Sequence, residues 1–406
     1  MSLMVVKFGG TSVGNIERIR KDARAVVREI EKGNSVVAVV SAIGHSTDAL
    51  IKIYKKITKK SDPKKLDFVM ALGERTSARI FAKALSEIGV KSRAIDPLDK
   101  EWPVITDSRH GMAEINLQET ERRVKKYILP LVKKGVVPVI CGFLGRDQNG
   151  EITTIGRGGS DITAFVIGKC LPADLVIIVT DVDGVMSADP NVIRGAKLVE
   201  EITVEEMRDL ARFGAQVMHP RAMNYKDPKI EAKVINFNKY DLNAPGTKIV
   251  GPFPEPTTVK LYPEPLAMVT VVGEQMQTKP GILLKTVKPV SEAGINIFGV
   301  SIGPRSFSLY VKESEAEKAA ELVHEIVKED PVMKSVTIQK GLAMIITESE
   351  KFIYTPGVIA RLTGPVGEAG INIIEILSSR ASISFFVNWE DRENALKLFE
   401  KAMREI

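Results

Sequence analysis

Short apolar runs alternate with helical patterns of apolar residues from the start of the chain to about residue 250. Leu3 to Val6 reads as a first strand. Behind Asn15, a good N-cap, Ile16, Ile19, Ala23, Val26, Val27 and Ile30 recur at helical spacing, and Gly33 closes the pattern. Val36 to Ser41 reads as a buried strand. Helices are expected over Asp48 to Thr58 and Lys64 to Ile88, separated by the breaker Ser61-Asp62-Pro63. A further helix is expected over Ile115 to Lys134, with Pro130 kinking or ending it. Val136 to Phe143 and Asp174 to Thr180 are continuous and β-branched, as in strands covered on both faces. Between them, Asp147-Gln148-Asn149-Gly150 predicts a tight hairpin turn. Such alternation predicts an α/β fold, a three-layer sandwich with a mainly parallel central sheet.

Ligands of such sheets bind at the carboxyl ends of the strands. Four polar, glycine-bearing pieces follow apolar runs: Lys7 to Ser12, Ser41 to Thr47, Thr153 to Asp161 and Thr180 to Asp189. In the first, Gly9 and Gly10 allow close approach of backbone N–H groups to an anion, Lys7 adds a point charge, and a helix start follows. The GxxxxGK[ST] phosphate loop is absent. On the residues alone, a solvated lysine beside an ordinary Gly-Gly turn is the competing reading. Likewise Glu74-Arg75 reads as a solvated helical pair and Asp161 as a helix N-cap.

The composition changes after Pro245-Gly246-Thr247. Pro252, Pro254, Pro256, Pro263 and Pro265 mark a linker, and a repeat follows it. Pro280-Gly281 recurs as Pro356-Gly357, Pro289-Val290 as Pro365-Val366, and Glu292 to Ile297 (EAGINI) as Glu368 to Ile373 in the same register. Each copy reads strand, helix, Ile-Asn-Ile strand, strand, helix, which predicts two ferredoxin-like α+β units. The expected divisions are residues 1–252, 262–340 and 341–406, with a strand at 257–261 interleaved with the last.

The net charge of +6 is spread along the chain, with lysines interleaved among Glu and Asp and few aromatics beside them, so nucleic acid is not an expected partner. No apolar run reaches membrane-spanning length and the start lacks a signal-peptide pattern, so no membrane association is expected. Cys141 and Cys170 lie far apart without metal spacing and read as buried free thiols of a cytoplasmic protein. The four histidines are scattered, and no metal ligands are assigned.

KFGGTSV (Lys7 to Val13), SAIGHSTD, LGER, GRGGSD and TDVDGV together resemble the signature of the aspartokinases, a branch of the amino acid kinase family. PG…EAGINI resembles the ACT domain, a small-molecule-sensing module, and aspartokinases commonly carry two. The resemblance implies transfer of the ATP γ-phosphate to the side-chain carboxylate of L-aspartate, with Mg²⁺ held mainly by the nucleotide phosphates. Carried over residue by residue, Lys7, Gly9 and Gly10 match phosphate-binding positions. Asp161 matches the acid that orients the lysine. Ser41, Thr47, Glu74 and Arg157 match positions that hold the amino acid. Thr180, Asp181, Met186 and Asp189 match the nucleotide side.

Three positions depart from the family pattern, all on the nucleotide side: Met186 stands for tyrosine, Asn191 for arginine and Gln216 for lysine. Arg146, Lys226 and Lys229 are candidates to compensate. Gln277, Pro280, Asn296 and Ile297, at the strand–helix junctions of the first repeat, are the expected contacts of an amino-acid effector such as lysine or threonine. A homodimer or higher homo-oligomer through the ACT units is also implied. The rival readings are another carboxylate kinase of this fold and a catalytically silent amino-acid sensor.

Overall fold

The computed structural model describes residues 2–58, 62–212, 218–251, 257–274, 276, 278–353 and 355–406. Pro252, Pro254 and Pro256 of the linker, Ser61, Gln216 and Gln277 therefore lie outside the described residues. Two compact units divide the chain, Met1–Pro254 and Glu255–Ile406. Among the described residues no helix is long and apolar enough to cross a membrane.

In the first unit the order is β1 (Leu3–Phe8), α1 (Ile16–Glu31), β2 (Ser35–Val40), α2 (Ser46–Ile57), α3 (Pro63–Glu87), β3 (Ser92–Ile95), α4 (Leu117–Arg123) and α5 (Leu129–Lys133). Then come β4 (Val137–Cys141), β5 (Leu144–Arg146), β6 (Ile152–Thr154), α6 (Gly159–Cys170), β7 (Leu175–Thr180), β8 (Glu201–Thr203), α7 (Val204–Arg212), α8 (Pro220–Met223), β9 (Glu231–Asn236) and β10 (Thr247–Val250). The main sheet runs β3-β4-β2-β1-β7-β9-β10-β8. Its pairs are parallel except β9 with β10.

Strands β1, β2, β4 and β7 are almost wholly buried, which explains their unbroken apolar runs. Asn15 caps α1 by accepting the Arg18 N–H, and Gly33 takes φ +87° behind it, as the punctuation predicts. Asp62 caps α3 by accepting the Lys64 N–H, with Pro63 at its first position, so the breaker is a helix start. The chain passes from β1 to β2 on one side and returns through β7 on the other, so the order reverses at β1. The carboxyl ends of β1 and β7 flank that switch point, where sheets of this kind hold ligands.

Five local expectations change. The helix expected over 115–134 starts at Leu117 and is interrupted by a π-helical turn, Val124–Ile128. There the Leu129 N–H reaches the Val124 carbonyl, and Pro130, with no N–H to give, follows at once. The strand expected to run through Phe143 stops at Cys141, because Phe143 adopts φ +67° and turns the chain. Ile16, counted on the apolar face of α1, is exposed. Thr153 to Asp161 follows no main-sheet strand: β5 and β6 form a separate antiparallel hairpin across the Asp147–Gly150 turn. In the first repeat the Ile-Asn-Ile segment precedes the strand, which begins at Gly299.

The second unit contains β11 (Thr257–Leu261), β12 (Leu266–Gly273), α9 (Ile282–Glu292), β13 (Gly299–Ile302), β14 (Ser306–Lys312) and α10 (Ala316–Glu329). It continues with β15 (Met333–Ser349), α11 (Val358–Glu368), β16 (Ile373–Ser378), β17 (Ser382–Asn388) and α12 (Arg392–Glu405). The 17-residue β15 joins both repeats: its first half pairs with β12, its second with β17 and β11. It continues through residues 340 and 341 by way of a β-bulge, with Gly341 at φ +73°. Leu266 pairs with Leu342, and the Tyr310 and Phe386 rings lie 4.1 Å apart. Each pair is separated by the repeat's own offset, so the repeats face one another about a local twofold. All seven strands form one sheet. Helices α9 and α10 pack on one core and α11 and α12 on another, and Leu266, Tyr310, Leu342, Met344 and Phe386 form a third cluster on β12, β14, β15 and β17.

Candidate functional site

The ends of β1 and β2 are interlocked. Ser41 donates its N–H to the Phe8 carbonyl at 3.1 Å, and Gly44 donates to the Gly10 carbonyl at 2.9 Å. A Cβ on Gly10 would lie 2.9 Å from the Gly44 oxygen and 3.0 Å from that of Ala42. A Cβ on Gly9 would lie 3.1 Å from the Val179 oxygen and 3.4 Å from Lys7 Nζ. Backbone approach thus excludes a Cβ on Gly10 and leaves little room for one on Gly9.

Lys7 Nζ lies 2.9 Å from Asp161 Oδ1, with both side chains mostly buried. Asp161 stands in the first turn of α6, whose N-cap is Gly158 in the left-handed region with no side-chain cap. The N-capping reading of Asp161 is therefore replaced by an ion pair that fixes the lysine at the end of β1. A Cβ on Gly158 would run into His219, and one on Gly159 would meet Phe143 Cα at 3.0 Å, so the turn between β6 and α6 needs both glycines. Phe143, which the sequence reading kept inside a strand, packs there: it accepts the Ile155 N–H, and its own N–H goes to Thr163 Oγ1.

Glu74 is buried on α3, with Thr47 Oγ1 3.5 Å from Oε2. Burial pushes its carboxyl up to about 7, opposed by backbone hydrogen bonds with itself and Ala42 and by Thr47. Arg75 does not pair with it; its Nε reaches Asp96 at 2.8 Å. The solvated-pair reading of Glu74-Arg75 fails for both residues. A Cβ on Gly73 would lie 2.6 Å from Thr47 Oγ1, so α3 seats directly against the start of α2. Arg157 is exposed, and among the described residues no carboxylate forms a salt bridge with it.

On the β7 side, Thr11 Oγ1 and Thr180 Oγ1 approach Asp181 at 3.4 and 3.3 Å. Asn236, at the end of β9, donates to Asp183 Oδ1 at 3.0 Å and to the Asp181 carbonyl. The sequence reading did not single out Asn236, although it too is a polar residue closing an apolar run. Met186 is half-buried and bridges to Leu198. Asn191 folds back, with its N–H and Nδ2 both on Asp189 Oδ1 at 2.9 and 3.1 Å.

None of the three proposed compensating cations is free at this end of the sheet. Arg146 donates to the Pro97 and Asp99 carbonyls. Lys226 is buried, donates to the Asp227 and Ile230 carbonyls, and has its ammonium pKa pushed down by burial. Lys229 precedes the amino end of β9. Among the described residues no group of three His, Cys, Asp or Glu side chains could hold a metal by itself. Cys141 and Cys170 are free and buried.

In the second unit Pro280 precedes Gly281, the left-handed cap of α9, while Asn296 and Ile297 follow Gly294 at the other end of that helix.

The model of the amino acid kinase family matches residues 2–236, and ACT-domain models match 269–326 and 337–401. The aspartokinase of Geobacillus stearothermophilus is 31% identical, over 99% of this chain and 97% of that one. That of Thermus thermophilus is 31% identical over 99% and 98%. The crystal structure of aspartate kinase from Synechocystis superposes with a TM-score of 0.81 at 28% identity, covering 99% of this chain and 70% of that one. The ion-paired lysine beside two closely packed glycines at the switch point agrees with these matches, and the chain belongs to the amino acid kinase family, in its aspartokinase branch, with two ACT domains.

Proposed function

We propose that this aspartokinase transfers the γ-phosphoryl group of ATP to the side-chain carboxylate of L-aspartate, giving 4-phospho-L-aspartate, with Lys7 at the phosphoryl centre. The observation that carries this reading is the Lys7–Asp161 pair, buried beside Gly9 and Gly10. The nucleophile is the substrate's own carboxylate, ionised at neutral pH, so no general base is needed. Catalysis then rests on positioning and on charge placed where it builds up in the transition state. Lys7 supplies that charge, and Asp161 holds its ammonium in place. Glu74 receives the substrate's α-ammonium, Arg157 forks onto its α-carboxylate, and Ser41 and Thr47 offer hydroxyls beside them.

The β1–β7 crevice suits nucleotide phosphates, because a Cβ on Gly9 would crowd Val179 and Lys7 there while one on Gly10 would press on the loop after β2. Thr180, Asp181, Met186 and Asp189 lie on its nucleotide side. Mg²⁺ bound with ATP would neutralise phosphate charge, and Asp181 and Asp183 are the hard oxygen donors at hand. The ACT pair is a site for an amino acid such as lysine or threonine, at Pro280, Asn296 and Ile297, and a surface for homo-oligomers. The domain divisions that suit these roles are 1–252, 262–340 and 341–406, with 257–261 serving the last. Two free buried thiols suit a reducing cytoplasm.

The test is ADP release with L-aspartate, glutamate and N-acetylglutamate as acceptors. Aspartate-dependent turnover is expected, and Lys7→Ala should lower it by roughly 10²-fold or more, the scale of losing one transition-state donor. Acceptor-independent ADP release, or unchanged turnover in folded Lys7→Ala, would sink the reading.

A further inference from the structure

Asp67 lies seven residues before Glu74 on α3, two helical turns along the same face, and is buried. Its carboxylate gathers four donors from two other segments. Thr154 Oγ1 donates to Oδ1 at 2.6 Å. The N–H groups of Thr154 and Gly111 reach Oδ2 at 3.2 and 3.1 Å, and His110 Nδ1 lies 2.9 Å from the same oxygen. A buried carboxylate so fully satisfied is a rigid junction.

The two segments it joins meet again beside Arg157. The Ala113 N–H goes to the Thr154 carbonyl at 2.9 Å. Gly156, with φ +87°, is so enclosed that a Cβ there would lie 3.3 Å from the Gly111 oxygen and 3.4 Å from Met112 Cγ. Arg221 Nη1 fixes the Ile155 carbonyl at 2.9 Å. Thr154, directly bonded to Asp67, stands three residues before Arg157. Loop 107–114 is itself stiffened by Arg109, which pairs with Asp107 at 2.6 Å and with Glu114 at 2.9 Å.

We propose that Asp67 is a positioning residue for aspartate recognition, holding loop 110–112 and the end of β6 together so that the Gly156–Arg157 turn presents its guanidinium to the substrate carboxylate. One helix then sets both ends of the amino-acid pocket: Glu74 directly, and Arg157 through Asp67. This rests on the reading of Arg157 as the carboxylate ligand.

The test compares steady-state kinetics of the full chain with Asp67→Asn, His110→Ala, Arg157→Ala and the double variant Asp67→Asn/Arg157→Ala. The amide of Asp67→Asn keeps the Thr154 hydroxyl but turns an NH₂ toward two backbone N–H donors. KM for aspartate should rise about tenfold or more, the ratio one hydrogen bond to a charged group is worth. KM for ATP should stay within about twofold. His110→Ala, which removes one donor and leaves the carboxylate in place, should give a smaller rise in the same parameter only.

In the Arg157→Ala background, Asp67→Asn should add no further rise, because the two act through one contact. An additive rise, a parallel rise in both KM values, or an unchanged aspartate KM in folded Asp67→Asn would each overturn the proposal. Arg157→Ala with an unchanged aspartate KM would overturn instead the reading of Arg157 on which it rests.

Discussion

Glu74 shows at the level of one residue how burial becomes a pH profile. Its carboxyl, raised from 4.5 to about 7, must ionise to receive an ammonium, and the bound ammonium then stabilises the ionised form. Below about pH 7, kcat/KM for aspartate should therefore fall by about tenfold per pH unit, and it should level off above, since this ratio reports the free enzyme. Glu74→Gln should lower the plateau and abolish the slope; a slope surviving in that variant would assign it elsewhere. For stability the sign is opposite to that of a salt-bridged acid. The folded state keeps a proton that the unfolded state loses, so stability falls as pH rises from about 4.5 to about 7 and is flat beyond. Asp22, buried with Ser12 Oγ 2.5 Å away and also raised to about 7, adds a slope of the same sign that Glu74→Gln leaves in place. Lys7, Gly9 and Gly10 were legible because they end an apolar run, whereas Glu74, Arg157 and Asp161 were assigned only through the family resemblance, the residues alone reading as a solvated pair and an N-cap. Asp67 was not singled out, since a lone Asp gives no sign of what it joins. Its one signal was its spacing of seven residues from Glu74, on the face that also carries Ala71, Ala78 and Phe81.

Among elements, the strands β1, β2 and β7 were plain in the sequence because strands buried on both faces must be apolar throughout. Where backbone geometry overrides the pattern, the reading stopped short. The π-helical turn before Pro130 and the left-handed Phe143 both lie inside runs that look regular by side-chain periodicity. What periodicity also hides is the interlocking of the loops after β1 and β2 through the Ser41–Phe8 and Gly44–Gly10 hydrogen bonds, which on the proposed reading would give the phosphate and amino-acid sides one wall. Gly10→Ala tests it. The new methyl would meet the backbone oxygens of Gly44 and Ala42, which cannot swing aside as a side-chain tip can. Overpacking of this kind costs about 1–3 kcal/mol of stability unless the two loops shift apart to relieve it. Both KM values should rise together, unlike Asp67→Asn, which should move aspartate alone. Gly33→Ala is the control: at φ +87° with nothing within 4 Å of its Cβ, it should lower the melting temperature and leave both KM values unchanged. A Gly10→Ala enzyme with altered ATP dependence and normal aspartate dependence would show that the two loops move independently.

At the scale of the whole molecule, each unit has its own core: one spans Met4 to Ile249, and the others lie entirely beyond Tyr262 or draw on β11. The duplication was visible from Pro280-Gly281 and Pro356-Gly357. The sharing of one 17-residue strand by both repeats was not: the strand changes partners at a β-bulge where Gly341 takes φ +73°, and in the sequence that glycine reads as a division between units. Separate cores make amino-acid regulation a problem of linkage between units. If an effector raises the aspartate KM by some factor through a change in binding, aspartate must weaken effector binding by that same factor. Three measurements then stand together. Lysine or threonine should raise the melting temperature of the intact chain, since a ligand at about 100 times its Kd contributes about 2.7 kcal/mol. A chain ended after residue 251 should keep aspartate-dependent turnover and lose all response to either amino acid. In the intact chain, calorimetric titration of the effector with and without saturating aspartate and a non-hydrolysable ATP analogue should show weaker binding in their presence, by the factor seen in kinetics. If neither amino acid shifts the melting of the intact chain, the ACT pair is a structural and assembly module in this enzyme. If effector binding is tight yet indifferent to aspartate and nucleotide, the site exists but is not coupled to catalysis.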